Sequence, residues 1–199
     1  DTGTLIVRQT RLDRENETIA ELEIERIGGD GQPSPFDAVT CAEGLTMSAG
    51  LVAGAAMLFA NWAEGFKKHT NELPRFDQNV SNMAGGVPDI AYYHSYWKLA
   101  PDEALVIEAT PPECEHWNFQ LNNYWMESLD YRYYPVHVNK HTATYRPDGS
   151  VQVVVAAQDK GFDNWIDTVG HEEGTMCWRW VRADEHPEPQ TRVVKLSEL

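Results

Sequence analysis

The stretch HTATYRPDGSVQVVVAAQ, residues 141–158, decides how the rest of the chain is read. Asp148-Gly149 accepts the positive φ that a tight hairpin turn requires, and Pro147 before it favours turn initiation. On either side lie two short runs, 141–146 and 151–158, the second dense in valine. The pattern predicts a β-hairpin. Working outward, short β-prone runs bounded by turn signals recur at 104–109, 176–181 and 192–196. Pro111-Pro112 ends the first of these, and the loop HPEPQ separates the other two. Towards the N-terminus, residues 5–10 and 20–27 also read as strands. In the second, Leu22, Ile24 and Ile27 are set against Glu21, Glu23 and Glu25. The segment 28–35, GGDGQPSP, reads as a connection, and a helical region is expected over 48–69. The fold class expected is mainly β: a jelly-roll-like β-sandwich with an N-terminal strand pair and an appended helical segment. Residues 1–75 would supply the strand pair and helix, packed on a sandwich formed by 76–199.

At 199 residues the chain can bury one sizeable core. Its net charge of -15 argues against nucleic acid and anionic membranes as partners, since both call for basic surfaces. Three cysteines, Cys41, Cys114 and Cys177, do not make a disulfide framework, which favours a reducing, cytoplasmic setting. No export leader is legible at the start. The chain opens on Asp1 with a strand-like run close behind, as expected of a processed or partial chain. Residues 44–63 carry no charge and approach the roughly 20 residues of a membrane span. Their Gly, Ala, Ser, Thr and Asn content, with Leu51, Ala55, Leu58, Phe59 and Trp62 at helical spacing, predicts instead a helix packed on protein, and no membrane span.

Alternation along a strand splits CEHWNFQLN, 114–122, into two columns. Glu115, Trp117, Phe119 and Leu121 share one face, of which the last three suit burial. Cys114, His116, Asn118, Gln120 and Asn122 share the other, polar yet uncharged. The same split aligns His137, Asn139 and His141 in VHVNKHTATY, and sets Cys177 and Arg179 opposite Met176, Trp178 and Trp180 in TMCWRWV. If these strands join one sheet, its polar face would line a ligand cavity or a subunit interface. The alternative is a hydrated face with scattered hydrogen bonds. Cys114-x-His116, with His137, His141 or Cys177 from neighbours, makes one loose ligand pair, short of a metal motif, and no metal or cofactor is expected. His171-Glu172-Glu173 lies between Gly170 and Gly174 and lacks the second histidine of a helical zinc-hydrolase motif, Thr175 standing in its place. It reads as a loop whose histidine and carboxylates are acid–base candidates. There is no nucleophile elbow and no phosphate-cradling glycine loop. Aromatics are dense after residue 92: Tyr92, Tyr93, Tyr96 and Trp97 precede the sandwich, and YWMESLDYRYY follows the polar strand.

The order WNFQLNNYW, LDYRYY, YRPDGSVQVVVA, NWIDT and an Arg-containing aromatic strand resembles the C-terminal domain of unknown function 1214, often found after a partner domain, number 1254, in longer bacterial proteins. The resemblance extends over 5–199 and is densest after Ala104, with Asp148-Gly149-Ser150 and Asn164-Trp165 as its clearest points. It implies a jelly-roll-like sandwich preceded by a helical segment, an oligomeric protein, and no established reaction. Where many members continue Asn-Trp into a Pro-rich turn, this chain reads Ile166-Asp167-Thr168-Val169-Gly170-His171, as in a separate, actinobacterial-type branch.

The functional expectation is a cytoplasmic, homo-oligomeric accessory domain that binds a small apolar or aromatic molecule. Cys114, His116, Asn118, Gln120, His137, His141, Asn164, Trp165, His171 and Arg179 are the candidate binding residues. The rival readings are an enzyme (hydrolase, lyase or oxygenase) that uses the His-rich sheet face, and a purely structural assembly protein.

Overall fold

The computed structural model describes residues 5–7, 9, 15–25, 27–29, 31–32 and 35–199. The chain divides into two compact units at Leu45–Thr46. In the first unit, the described residues of 5–10 and 20–27 form no strand, which corrects the expected strand pair. Arg8, Thr10 and Arg26 lie outside the described residues. Instead, the Gln9 amide bridges to the backbone of Ala20, donating to its carbonyl at 3.1 Å and accepting from its N–H at 2.7 Å. Helix α1, Ala38–Phe66, begins ten residues earlier than its sequence pattern predicts, because Asp37 caps it. The Asp37 carboxylate accepts from the Thr40 N–H at 2.8 Å and the Thr40 hydroxyl at 2.6 Å, satisfying groups a helix start leaves open.

The second unit is a β-sandwich of two four-stranded sheets. In chain order its strands are β1 Ile90–Lys98, β2 Glu103–Ala109, β3 Cys114–Leu121, β4 His137–Asn139, β5 Val151–Ala156, β6 Trp165–Asp167, β7 Glu173–Ala183 and β8 Gln190–Lys195. One sheet runs β1-β7-β3-β4 and the other β6-β5-β2-β8, with every pairing antiparallel except β5 with β6. Leu105, Ile107, Val153 and Val155 of the second sheet pack with Tyr93, Trp117, Phe119 and Trp178 of the first in one apolar cluster. The inward face of the first sheet follows from alternation: Tyr93, Trp178 and Phe119 stand in register, as do Ala91, Trp180 and Trp117. The predicted inward columns of β3 and β7 are therefore correct.

Two expectations need correction. Residues 141–146 form no strand, and β5 pairs with β2 and β6 instead. The turn itself is present: Gly149 has φ 82°, and the Arg146 N–H donates to the Ser150 carbonyl at 2.8 Å. The run after Asp89, read as preceding the sandwich, is β1, a strand of its first sheet. Alternation holds over its first half, with Ala91 and Tyr93 buried and Tyr92 and His94 partly exposed, and gives way to three successive buried residues, Ser95, Tyr96 and Trp97.

Helix α1 is apolar on nearly every side, and its only buried residues are Ala63 and Phe66, near the C-terminal end. Leu51, Leu58 and Phe59, expected to pack on protein, are exposed among the described residues. Together with the 3-10 turn Lys67–His69 that follows, it is long and apolar enough to cross a membrane, with a mean hydropathy of 1.4 over its best window.

Candidate functional site

The outer face of the first sheet carries the polar column, and the register shows how far it extends. His94, Cys177, Gln120 and His137 form one rung, and Tyr92, Arg179, Asn118 and Asn139 the next. Arg179 links them, lying 5.8 Å from the Tyr92 ring centroid and donating from Nη1 to Gln120 Oε1 at 3.0 Å. Gln120 in turn donates to Asn122 Oδ1 at 2.8 Å. Arg179, Gln120 and Asn122 of the column are thus joined by hydrogen bonds. Cys177 is buried within the column, and burial pushes its thiol pKa up; Cys114, expected on the same polar face, packs instead in the apolar core cluster at the start of β3, where burial shifts its thiol the same way.

What covers this face is the chain just before β1. The backbone of 71–76 runs along the free edge of β1, with the Asn71 N–H donating to Tyr96 O and the Phe76 N–H to Tyr92 O, both at 2.8 Å. Ser95 Oγ donates to His69 O, tying down the turn after α1. Helix α2, Gln78–Met83, then starts on Asp77, whose Oδ1 accepts from the N–H groups of Asn79 and Val80 at 2.7 and 3.2 Å. These contacts bring Phe66 and Phe76 onto His94.

The result is a wall of rings around one imidazole. Phe66 stacks on His94 at 5.3 Å and Tyr92 stacks on it at 5.4 Å, while Phe76 meets it edge-on at 5.4 Å. His94 is partly buried, and its pKa is lowered to about 4, first by burial and second by the Arg179 guanidinium. It is therefore neutral at pH 7, offering a hydrogen-bonding nitrogen within an apolar wall. Against this wall lies a cavity of 520 Å³, bounded by Trp62, Phe66, Phe76 and His94 with Asn61, His69, Arg75 and Asp77 as its polar members. A smaller one of 200 Å³ shares Trp62, Phe66, Phe76 and His94 and reaches Tyr92 and Gly86.

The candidate residues named from sequence do not all meet here. Gln120 and Arg179 continue the His94 surface across the sheet, with Asn118 beside them. His116 and His141 pair with each other elsewhere, their rings 5.7 Å apart, and burial with the neighbouring His141 and Lys140 charges lowers the His116 pKa. His141 follows β4 in a turn rather than continuing the strand, and His137 is exposed. Asn164 is a buried structural link: its Oδ1 accepts from the Thr144 N–H at 2.8 Å, and its Nδ2 donates to the Thr144 and Gln152 carbonyls, each at 2.9 Å. Trp165 packs on the outer face of the other sheet and donates to Ala156 O at 2.9 Å. His171 is exposed in the turn before β7, beside a separate cavity of 200 Å³. No group of three or more His, Cys, Asp or Glu among the described residues is placed to hold a metal ion.

With the geometry in place, the chain can be set beside known structures. It is similar to an uncharacterised protein of Burkholderia cenocepacia. The two share 52% sequence identity and superpose with a TM-score of 0.88 over 94% of this chain. This chain spans about half of that protein, 52% of its length. The VPA0106 protein of Vibrio parahaemolyticus matches at 18% identity and a TM-score of 0.48, over 59% of this chain and 34% of its own. No family model and no curated protein matches the chain.

Sequence reading missed His94, Phe66, Phe76 and Arg75. The signal for His94 was available, since the period-2 split that sorted 114–122 also places Tyr92, His94 and Tyr96 on one face of β1. Nothing local in sequence marks Phe66 or Phe76, which reach the imidazole from a helix end and an edge-bound segment.

Proposed function

We propose that the sandwich is an accessory binding domain of a bacterial, cytoplasmic protein, and that it takes a small, largely apolar, ring-bearing molecule in the cavity beside His94. The observation that carries this reading is the aromatic wall around a neutral imidazole, at a cavity whose 520 Å³ lies within the roughly 300–1,000 Å³ of small-molecule sites. Asp77 Oδ1 caps α2, and the remaining lining offers stacking rings and hydrogen-bonding groups to such a molecule. The 52% identity to a Burkholderia protein supports the bacterial source, and free Cys41, Cys114 and Cys177 support the reducing compartment.

Trp62 in the wall makes binding visible by intrinsic fluorescence. Titration with neutral 2-naphthalenemethanol is expected to give saturable one-site quenching. Gly65 lines the cavity, and a Cβ added there meets nothing within 4 Å. Gly65→Leu should therefore fill the space without strain and weaken binding at least tenfold. Absence of saturation, or unchanged affinity in Gly65→Leu, would sink the proposal.

A second, compatible reading concerns assembly. Leu51, Val52 and Met57 of α1 are 74, 71 and 67% exposed, a run of bare apolar side chains of the kind that marks an interaction surface. We propose a second copy of this chain as its partner. Native mass spectrometry should show a dimer or higher oligomer that Leu51→Glu with Val52→Glu converts to monomer. A wild-type monomer at micromolar concentration removes this reading.

A further inference from the structure

We infer that the ring-bearing molecule is an aromatic carboxylic acid, its carboxylate held by Arg75 at the rim of the cavity beside His94. The inference rests on the binding function proposed above and adds the chemical class of the ligand. Arg75 lines the same cavity as Trp62, Phe76 and His94. Its backbone N–H donates to Glu188 Oε1 at 3.3 Å, yet its guanidinium makes no hydrogen bond or ion pair among the described residues. The other arginines around the sandwich are mostly engaged. Arg132 holds Asp130, Arg146 holds Glu108, Arg182 holds Asp89 and Glu115, and Arg179 binds Gln120.

Acid is not in short supply, since the chain has 31 Asp and Glu against 16 Lys and Arg. The Arg75 guanidinium, which has no such partner among the described residues, stands at a cavity walled by stacked rings. His69, at the turn after α1, also lines the cavity, its Nδ1 3.5 Å from Glu72 Oε2. The single acid in the lining, Asp77, has its Oδ1 held by two backbone N–H groups at the start of α2. A planar ring against Trp62, Phe76 and His94 with a carboxylate on Arg75 satisfies both halves of the lining at once. A guanidinium fork matches a carboxylate through two parallel N–H···O bonds, which a hydroxyl cannot reproduce.

The test compares two probes of one shape, 2-naphthoate and 2-naphthalenemethanol, on the wild-type chain and on Arg75→Gln and Arg75→Lys. The naphthoate is expected to bind at least tenfold more tightly than the alcohol. Arg75→Gln should abolish that preference, the two probes then binding with equal affinity, and Arg75→Lys should restore part of it. Arg75 is exposed and its guanidinium makes no hydrogen bond or ion pair among the described residues, so these variants are expected to retain the fold. Equal affinities in the wild type, or a preference that survives Arg75→Gln, would overturn the carboxylate assignment and leave the ring-binding function standing. Failure of both probes to bind overturns the two together.

Discussion

Trp178→Ala is expected to lower the free energy of unfolding by about 4 kcal/mol, the middle of the roughly 3–5 kcal/mol range for truncating a buried aromatic residue. Trp178 is wholly buried at the centre of β7, the strand that joins β1 to β3. Its ring lies parallel to Trp117 at 4.9 Å and edge-on to Trp180 at 5.2 Å, so its removal opens a void in the middle of the sandwich that rigid sheets cannot close. A second substitution separates volume from polarity. The indole N–H of Trp178 has no hydrogen-bond partner, whereas Trp97, Trp117 and Trp180 donate to Asn122 O, Tyr145 Oη and Pro187 O at 3.2, 3.0 and 2.9 Å. A buried, unpaired N–H costs about 1–3 kcal/mol. Trp178→Phe removes that group together with some volume and should cost less than about 1.5 kcal/mol, while Trp180→Phe breaks a made bond and should cost about 2–3 kcal/mol. Urea unfolding at pH 7, followed by far-UV circular dichroism, reads all three values. Equal costs for the two phenylalanine variants would mean that the Trp178 N–H is satisfied after all.

The inner core was legible in the sequence because it obeys one local rule. Strand alternation sorted Trp117, Phe119, Leu121, Met176, Trp178 and Trp180 to the buried face without any knowledge of neighbours. The same rule failed where pairing, rather than propensity, decides. Residues 141–146 look as strand-like as many true strands, but no open sheet edge takes them. Instead, the Asn164 amide holds Thr144 by both its N–H and its carbonyl. Asn164 and Trp165 stood out as the clearest points of the family resemblance, and in the fold their polar atoms are spent on backbone partners. The His94 site is non-local in origin. Its walls come from the end of α1, from the segment pinned beside β1 and from β1 itself, and only pairing through Tyr92 O and Tyr96 O brings Phe66 and Phe76 to the imidazole. A sequence shows each ring, but not which rings share a wall.

The stability of the fold should fall by about 3 kcal/mol between pH 6.5 and pH 4 through His94 alone, the free energy corresponding to a pKa lowered from 6.5 to about 4. The sign follows from proton counting. In that interval the unfolded chain carries a proton on this imidazole and the folded chain does not, so falling pH favours unfolding. The stability is complete above pH 6.5, declines through the interval and has been lost below pH 4. Two causes hold the folded pKa down: packing between Phe66 and Tyr92 removes water from the imidazolium, and Arg179 opposes a second positive charge. His116 and His186 are shifted in the same direction by burial, so the wild-type slope alone is not diagnostic. His94→Phe isolates the contribution, because a phenyl ring keeps the stack but cannot take a proton. Unfolding measured at half-unit steps from pH 7.5 to pH 4 should give a difference between wild type and variant that is flat above pH 7 and shifts by about 3 kcal/mol in the variant's favour at pH 4. Binding should follow the same course. Protonated His94 must turn towards water and disturb the ring wall, so 2-naphthalenemethanol should lose affinity in acid on the wild type and not on His94→Phe. A pH-independent difference between the two proteins would show that His94 is hydrated in the folded state, and the neutral imidazole would drop out of the site.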